Sequence, residues 1–327
     1  MELLKRLYGI HSPSGKEDSM VDFICDWLNK NEPYADFEVD KLGNIYIQKG
    51  MADNYPCVVA HTDQVQSRHA TDFVSLYNPN YDVIFGYSPK MKEQQGLGAD
   101  DKNGIWVALK ALQHASFIKV ALFAGEEIGC VGSSDCNMKF FEDCRWVIQA
   151  DRRGGCDLIT SVYNTDLCSK DFLAALQYSR FGYVEEDGML TDVYQLKENG
   201  LKVSCINISC GYYEPHTDHE FTIYRELQNA LNLVLFAVDN LIDVYPHEAE
   251  STFYGRYYGG YDWYDYNRYS YRTQCRWLVE DEILGMLERN PNIKLKDVCK
   301  GLRKLGYTTT TRREIKRIYN ELKEDLK

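Results

Sequence analysis

Five separated stretches of the sequence contain residues that can bind a divalent metal ion. They supply histidine nitrogens and carboxylate oxygens, which zinc accepts as ligands. Two zinc ions that share a carboxylate can activate water for hydrolysis. The stretches are His61-Thr62-Asp63, Gly98-Ala99-Asp100-Asp101-Lys102, Gly125-Glu126-Glu127, Gln149-Ala150-Asp151 and Pro215-His216-Thr217-Asp218-His219-Glu220. These residue types predict a metal-dependent hydrolase.

Spacing within the stretches suggests which residues bind metal and which residue accepts a proton. His61 can bind a metal, and Asp63 can accept a hydrogen bond from the other ring nitrogen of that histidine. Asp100 is the best candidate for a bridging ligand because it lies in a tight turn before a helix pattern. Glu126 and Glu127 are adjacent and point in different directions. One of them can therefore bind a metal while the other takes a proton from water.

Two further positions leave alternatives open. His216 and His219 are both placed to serve as the histidine ligand of the last stretch. Arg152 follows the candidate ligand Asp151 directly and could hold a substrate carboxylate. An ordinary ion pair in a loop explains this arginine equally well.

Strand and helix patterns alternate along the first 250 residues, and candidate ligands follow the ends of buried strands. This order predicts an α/β fold in which a mostly parallel sheet is covered by helices and binds its ligand beyond the strand ends. Residues 66–96 are predicted to be irregular or to form a hairpin, and Ser12 or Ser14 could cap the second helix. Predicted strands are 37–39, 44–47, 57–60, 119–123, 146–150 and 203–208; predicted helices are two within 1–30, then 104–112 and 226–244.

Composition and charge argue against a membrane protein, a secreted protein and a protein with a general affinity for nucleic acid. No apolar run of the 327-residue chain approaches the ~18 residues of a membrane span, and no secretory signal pattern follows Met1. The 11 cysteines show no pairing rhythm, which favours free thiols and a cytoplasmic location. A formal charge of −12 argues against a general affinity for nucleic acid.

The C-terminal part differs from the rest of the chain. Residues 251–275 contain eight tyrosines and are interpreted as a linker after a catalytic domain at 1–250. Residues 276–327 predict a basic helical module with helices near 278–287, 296–305 and 312–326, the last capped within Thr308–Thr311. From Lys294 onward, 11 basic residues stand against 5 acidic ones. The module could be winged-helix-like and bind nucleic acid, or it could be a docking or oligomerisation appendage.

In their order along the chain, these motifs resemble the co-catalytic zinc exopeptidases, a superfamily that includes peptidase T, carboxypeptidase G-type enzymes and the tetrahedral aminopeptidases. The resemblance spans about residues 5–240 and includes His11-Ser12-Pro13-Ser14-Gly15-Lys16-Glu17 and Asp40-Lys41-Leu42-Gly43-Asn44. It implies the three-layer fold of that superfamily, with a mixed central sheet. It also implies a cis peptide bond between Asp100 and Asp101.

The resemblance further implies a role for each matching position. Glu126 would be the general base, Asp63 would orient the first ligand histidine, and His219 would lie near the substrate. The metal ligands would be His61 and Asp151 for one ion, Glu127 and His216 for the other, and Asp100 as the bridge. The implied reaction removes N-terminal residues from short peptides, using a hydroxide held between two divalent ions, which would be Zn²⁺ or, in its place, Co²⁺ or Mn²⁺.

The sequence departs from peptidase T in one respect. Only 64 residues separate Asp151 from His216, so the lid or dimerisation domain found there in relatives is expected to be absent. The alternative reactions are carboxypeptidase cleavage and deacylation of an N-acyl amino acid. A further alternative is that the chain is not an enzyme but a scaffold whose C-terminal module binds nucleic acid or a protein.

Overall fold

The computed structural model describes residues 1–249 and, further on, residues 283–284, 286–287, 289–290, 293–304 and 312–325. The chain divides into two compact units, Met1–Ser251 and Thr252–Lys327. Each unit has its own apolar core. The predicted tyrosine-rich linker at 251–275 lies outside the described residues.

Fourteen strands occur within residues 1–249. In chain order they are β1 (Ala35–Val39), β2 (Ile45–Lys49), β3 (Tyr55–His61), β4 (Val74–Asn78), β5 (Val83–Ser88), β6 (Glu93–Gln95), β7 (Ile118–Phe123), β8 (Cys144–Arg152), β9 (Asp157–Val162), β10 (Thr165–Asp166), β11 (Val184–Gly188), β12 (Cys205–Ser209), β13 (Tyr212–Tyr213) and β14 (Phe221–Ile223). Each strand predicted from an apolar run is present, with its ends shifted by a few residues.

Nine strands form a mixed central sheet in the order β1–β2–β7–β3–β8–β12–β9–β10, with β11 paired to β9. In the centre of the sheet, β3 pairs in parallel with β7 and with β8, and β8 pairs in parallel with β12. Antiparallel pairs flank them on both sides. Parallel central strands bring their carboxyl ends to one edge, where such folds bind ligands.

A second sheet of five strands has the order β13–β14–β5–β4, with β6 paired to β5. Most of its strands come from residues 66–96, so that region is more regular than predicted, although the hairpin that the sequence suggested there is present. The β4–β5 pair is a hairpin, but β5 also pairs with β14, far along the chain. Because β14 is only three residues long, its sequence pattern alone gives no strand signal.

Helices cover both faces of the central sheet. Alternate residues of β3 point to opposite sides: Val58 and Ala60 join one apolar cluster, and Cys57 and Val59 join the other. The first cluster contains residues of the helices Glu2–Tyr8, Asp18–Asn31, Ala99–His114 and Tyr224–Asn240, and the second contains residues of the helix Asp192–Glu198. The helices are α1 (Glu2–Tyr8), α2 (Asp18–Asn31), α3 (Ala99–His114), α4 (Val131–Ser134), α5 (Lys170–Leu176), α6 (Asp192–Glu198) and α7 (Tyr224–Asn240), with 3₁₀ turns at Met138–Phe141 and Tyr178–Phe181.

The segment between Asp151 and His216 belongs to the main body of the first unit. Strands β9 to β12 of this segment pair within the central sheet, and α6 packs against its second face. No separate lid domain is therefore inserted there, as the sequence predicted.

One local expectation needs correction. Neither Ser12 nor Ser14 caps α2, because Glu17 precedes this helix and makes no side-chain cap hydrogen bond. Nine of the cysteines within the described part of the chain are free thiols.

The described part of the second unit contains the helices α8 (Leu295–Lys304) and α9 (Arg312–Asp325), close to two of the predicted helices. Val298 and Leu302 of α8 and Ile315, Ile318 and Tyr319 of α9 form one apolar core together with Ile283 and Leu287. The predicted cap at Thr308–Thr311 lies outside the described residues. None of the described helices has the length and apolarity that a membrane span requires.

Candidate metal centre

The register of the central strands brings two of the predicted ligands together. Val59 of β3 lies opposite Gln149 of β8 in a parallel pair. Side chains two residues further along each strand point to the same side, so His61 and Asp151 come next to each other. His61 Nε2 lies 3.5 Å from Asp151 Oδ1.

The turn before α3 presents Asp100. The peptide bond between Asp100 and Asp101 is cis, as the resemblance implied, and both residues leave helical backbone geometry. Gly98 precedes them in the left-handed region with φ of 61°. A Cβ atom there would lie 2.8 Å from the ends of the Gln64 and Lys102 side chains, and both this contact and the positive φ favour glycine.

Two loops supply the remaining groups. β7 ends at Phe123, and Gly125, with φ of 66°, turns the chain into Glu126 and Glu127. The loop between β13 and β14 presents His216, whose φ of 64° is uncommon for a residue other than glycine. Such backbone outliers occur preferentially at functional sites.

Asp100 lies between two histidines. Its Oδ1 atom is 3.1 Å from Nε2 of His61, and its Oδ2 atom is 3.2 Å from Nε2 of His216. Glu127 Oε2 lies 3.1 Å from the same nitrogen of His216. The described residues therefore contain two groups with metal-ligand chemistry, and Asp100 is common to both: His61, Asp100 and Asp151, and Asp100, Glu127 and His216.

The spacing and chemistry of these atoms fit divalent ions. Ligands about 2.0–2.1 Å from a tetrahedral zinc ion are ~3.3 Å from one another. The separations around His61 and His216 run from 3.1 to 3.5 Å. Glu127 Oε1 is also buried without a hydrogen-bond partner. Three carboxylates and two imidazoles are a donor set that zinc, cobalt and manganese accept.

The electrostatics of the cluster show a concentration of negative charge. Burial and the nearby Asp100 carboxylate raise the pKa of Asp151 well above its ordinary value, and they raise the pKa of Glu127 as well. Burial by itself would lower the pKa of His216, but Asp100 and Glu127 raise it to about 11. Bound cations would offset this charge in place of protons.

Asp63 contacts both the first ligand histidine and the loop that carries the two glutamates. It lies 3.2 Å from Nδ1 of His61 and accepts the backbone N–H groups of Glu126 at 2.9 Å and Glu127 at 3.2 Å. Ser14 Oγ also donates to it, at 2.7 Å. One buried carboxylate thus holds the first histidine and the loop with both glutamates, and Ser14 has this contact instead of a capping role.

Glu126 lies beside the two groups but belongs to neither of them. Burial raises the pKa of its carboxyl well above the ordinary value, and the carboxylates of Asp151, Asp192 and Glu127 add to this effect. A carboxyl group with a raised pKa can both take and return a proton near neutral pH.

A buried polar network holds Asp151, and the sequence interpretation missed it. Gln149 Nε2 donates to Asp151 Oδ2 at 3.0 Å and to Asp192 Oδ2 at 3.2 Å. Asn207 accepts the backbone N–H of Asp151 at 2.9 Å. Gln149 was detectable, because it lies two residues before Asp151 on the same face of a strand. Asn207 and Asp192 carry no such local signal.

The two residues predicted to contact substrate are placed differently. Arg152 lies at the end of β8, and its Nε atom is 3.4 Å from Asp157 Oδ2. His219 is exposed in the loop that also carries His216, and its backbone N–H donates to Thr217 Oγ1. Contact with a substrate remains a prediction for both residues.

Comparison with known proteins gives matches in structure alone. No protein-family model matches the sequence, and no curated protein matches it significantly. Aminopeptidase PepT from Bacillus cereus superposes with a TM-score of 0.57 at 12% identity, covering 72% of this chain and 96% of that one. A tripeptidase from Staphylococcus aureus gives 0.57 at 11%, with the same coverage. A TET aminopeptidase from a marine sediment thaumarchaeon gives 0.54 at 15%, covering 75% and 96%.

The chain therefore shares its α/β fold with these peptidase T, tripeptidase and TET aminopeptidase structures. The mixed sheet with helices on both faces confirms the fold class predicted from the sequence.

Proposed function

We propose that the chain is a metal-dependent exopeptidase that removes N-terminal residues from short peptides. The observation that carries the proposal is the position of Asp100, whose two oxygens face two different histidines at 3.1 and 3.2 Å. A carboxylate placed in this way can be a ligand of two metal ions at once, and sites with two such ions catalyse hydrolysis. Structural neighbours described as an aminopeptidase and a tripeptidase support the same class.

The residues that would hold the two ions are those of the two overlapping groups, namely His61, Asp100 and Asp151, and Asp100, Glu127 and His216. Zinc suits this donor set, and cobalt or manganese can replace it. When bound, such ions lower the pKa of water and polarise the carbonyl of the scissile bond.

Glu126 takes the proton from the attacking water and returns it to the leaving amine. Burial and the neighbouring carboxylates raise the pKa of this carboxyl, which favours its holding the proton between the two transfers. Asp63 fixes the start of the loop that carries Glu126 through the backbone hydrogen bond of 2.9 Å. Proton transfer requires this fixed placement because it operates only within hydrogen-bond reach.

The decisive experiment is cleavage of a mixed pool of short peptides by zinc-loaded protein, analysed by mass spectrometry. Each peptide is present with a free and with an acetylated N-terminus, and the Glu126→Gln protein is the blank. Loss of single N-terminal residues from the free peptides alone is the expected result. Trimming from the C-terminus, or removal of the acetyl group, would instead identify a carboxypeptidase or a deacylase.

A further inference from the structure

Glu220 is a buried residue four positions after His216, and its two carboxyl oxygens accept hydrogen bonds from three groups. Its Oε2 atom accepts the backbone N–H of Gly98 at 2.6 Å and the side-chain amide of Gln66 at 3.1 Å. Its Oε1 atom accepts the backbone N–H of Asp100 at 3.2 Å. The residue itself is fully buried.

The three partners connect the segments that carry the candidate ligands. Gly98 and Asp100 form the turn that presents the shared carboxylate. Gln66 ends the segment that starts at His61. Glu220 itself ends the loop that presents His216. One carboxylate therefore joins the two histidine-bearing segments to the turn between them.

The hydrogen-bond network of Glu220 extends through Gln66 to Gln64 and Lys102. Gln64 Nε2 donates to Gln66 Oε1 at 3.1 Å, and the buried Lys102 Nζ donates to Gln64 Oε1 at 2.6 Å. Lys102 also donates to the carbonyl oxygen of Leu97 at 3.0 Å. Because every member has a partner, this buried network holds one arrangement of the turn in place.

We propose that Glu220 is a positioning residue that fixes Asp100 relative to His61 and His216, and thereby sets the affinity of the chain for its pair of metal ions. This inference rests on the proposed function. Partners behind the ligands of a metal site typically change metal affinity by about 10- to 100-fold. The backbone N–H of Asp100 is among the partners of Glu220, so a change at Glu220 acts directly on the shared ligand.

Glutamine at this position tests the idea with little change in shape. A glutamine side chain has one acceptor oxygen and one donor amide. The partners Gly98, Asp100 and Gln66 are all donors, so at least one of them would face the new amide group. The turn before α3 would then shift, while the first unit keeps its core.

The experiment is cobalt titration of the full chain, followed by calorimetry and by the visible absorption of bound Co²⁺. Glu220→Gln is expected to weaken cobalt binding about 10- to 100-fold and to change the absorption spectrum. Glu226→Gln is the matched control, because this glutamate is also buried but accepts its hydrogen bond from Tyr213 of β13 and not from Gly98, Asp100 or Gln66. It is expected to bind cobalt as the original protein does.

The outcomes separate this inference from the proposed function. If the original chain binds no cobalt, the proposed function is wrong and the role of Glu220 is wrong with it. If the original chain binds cobalt and Glu220→Gln binds it with the same affinity and spectrum, only the role of Glu220 is wrong. Should Glu220→Gln fail to fold, Gln66→Met removes one of the three hydrogen bonds. A several-fold loss of affinity is then expected, and unchanged affinity would overturn the inference.

Discussion

Asp63 accepts the backbone N–H of Glu126 at 2.9 Å, and the same carboxylate lies 3.2 Å from the ring nitrogen Nδ1 of His61. The proposed base and a proposed metal ligand therefore share one support. A change at Asp63 is expected to affect metal binding and proton transfer together, although Asp63 belongs to neither of the two ligand groups.

The first prediction concerns Asp63→Asn. The asparagine amide would face donors, because Ser14 and the N–H groups of Glu126 and Glu127 all donate to Asp63. Metal affinity is expected to fall about 10- to 100-fold, and kcat is expected to fall with it. Calorimetric metal titration and steady-state kinetics measure the two effects. Asp53→Asn, at an exposed aspartate ahead of β3, is the control. Equal affinities for both variants would contradict the shared support.

The second prediction compares two neighbouring glutamates. Glu126→Gln is expected to keep both metal ions and to lose about 10²- to 10⁴-fold in kcat, because the general base is removed. Glu127→Gln is expected to weaken binding of one ion. Metal content and kcat, measured on the same preparations, separate the two roles. Glu142→Gln, at an exposed position, should change neither quantity. A fully active Glu126→Gln protein would show that another group is the base.

The third prediction concerns stability and pH. Burial raises the pKa of the Glu226 carboxyl from 4.5 to about 7, against a smaller opposite effect of the hydrogen bond from Tyr213. Below pH 4.5 the folded and unfolded chains are both protonated at this residue. As the pH rises to about 7, the unfolded chain gives up this proton first, so the contribution to stability is lost.

Glu226→Gln removes this titration, since glutamine stays neutral. Relative to the variant, the original protein is expected to lose up to about 3 kcal/mol in the free energy of unfolding between pH 4.5 and 7. Urea unfolding of both proteins at several pH values measures the difference. Parallel stability curves would mean that the carboxyl ionises in the folded state as it does in the unfolded one.

The sequence allowed much of the fold to be predicted, because the central strands are continuous apolar runs. β3, β7 and β8 are buried along most or all of their length, so their patterns are unambiguous. The five-stranded sheet was missed for the opposite reason. Its strands are short and partly exposed, and β5 pairs with β14, which is distant along the chain.

Candidate ligands could be named from the sequence because strand ends and glycine turns mark them locally. The contacts that support these ligands could not be predicted from the sequence. Ser14 reaches Asp63 across 49 positions, and Gly98 reaches Glu220 across 122. Contacts of this range depend on how the elements pack, and no local spacing encodes them. For the same reason, the sequence suggested a helix cap for Ser14, whereas its hydroxyl group donates to a carboxylate.

The most direct test of the central claim is the number of zinc ions bound per chain, counted by native mass spectrometry after zinc loading and removal of excess metal. The original protein is expected to hold two ions, and Asp100→Asn, which alters the shared ligand, is expected to hold fewer. An original protein that binds no zinc, or an Asp100→Asn protein that keeps both ions with unchanged affinity, would contradict the two-metal site.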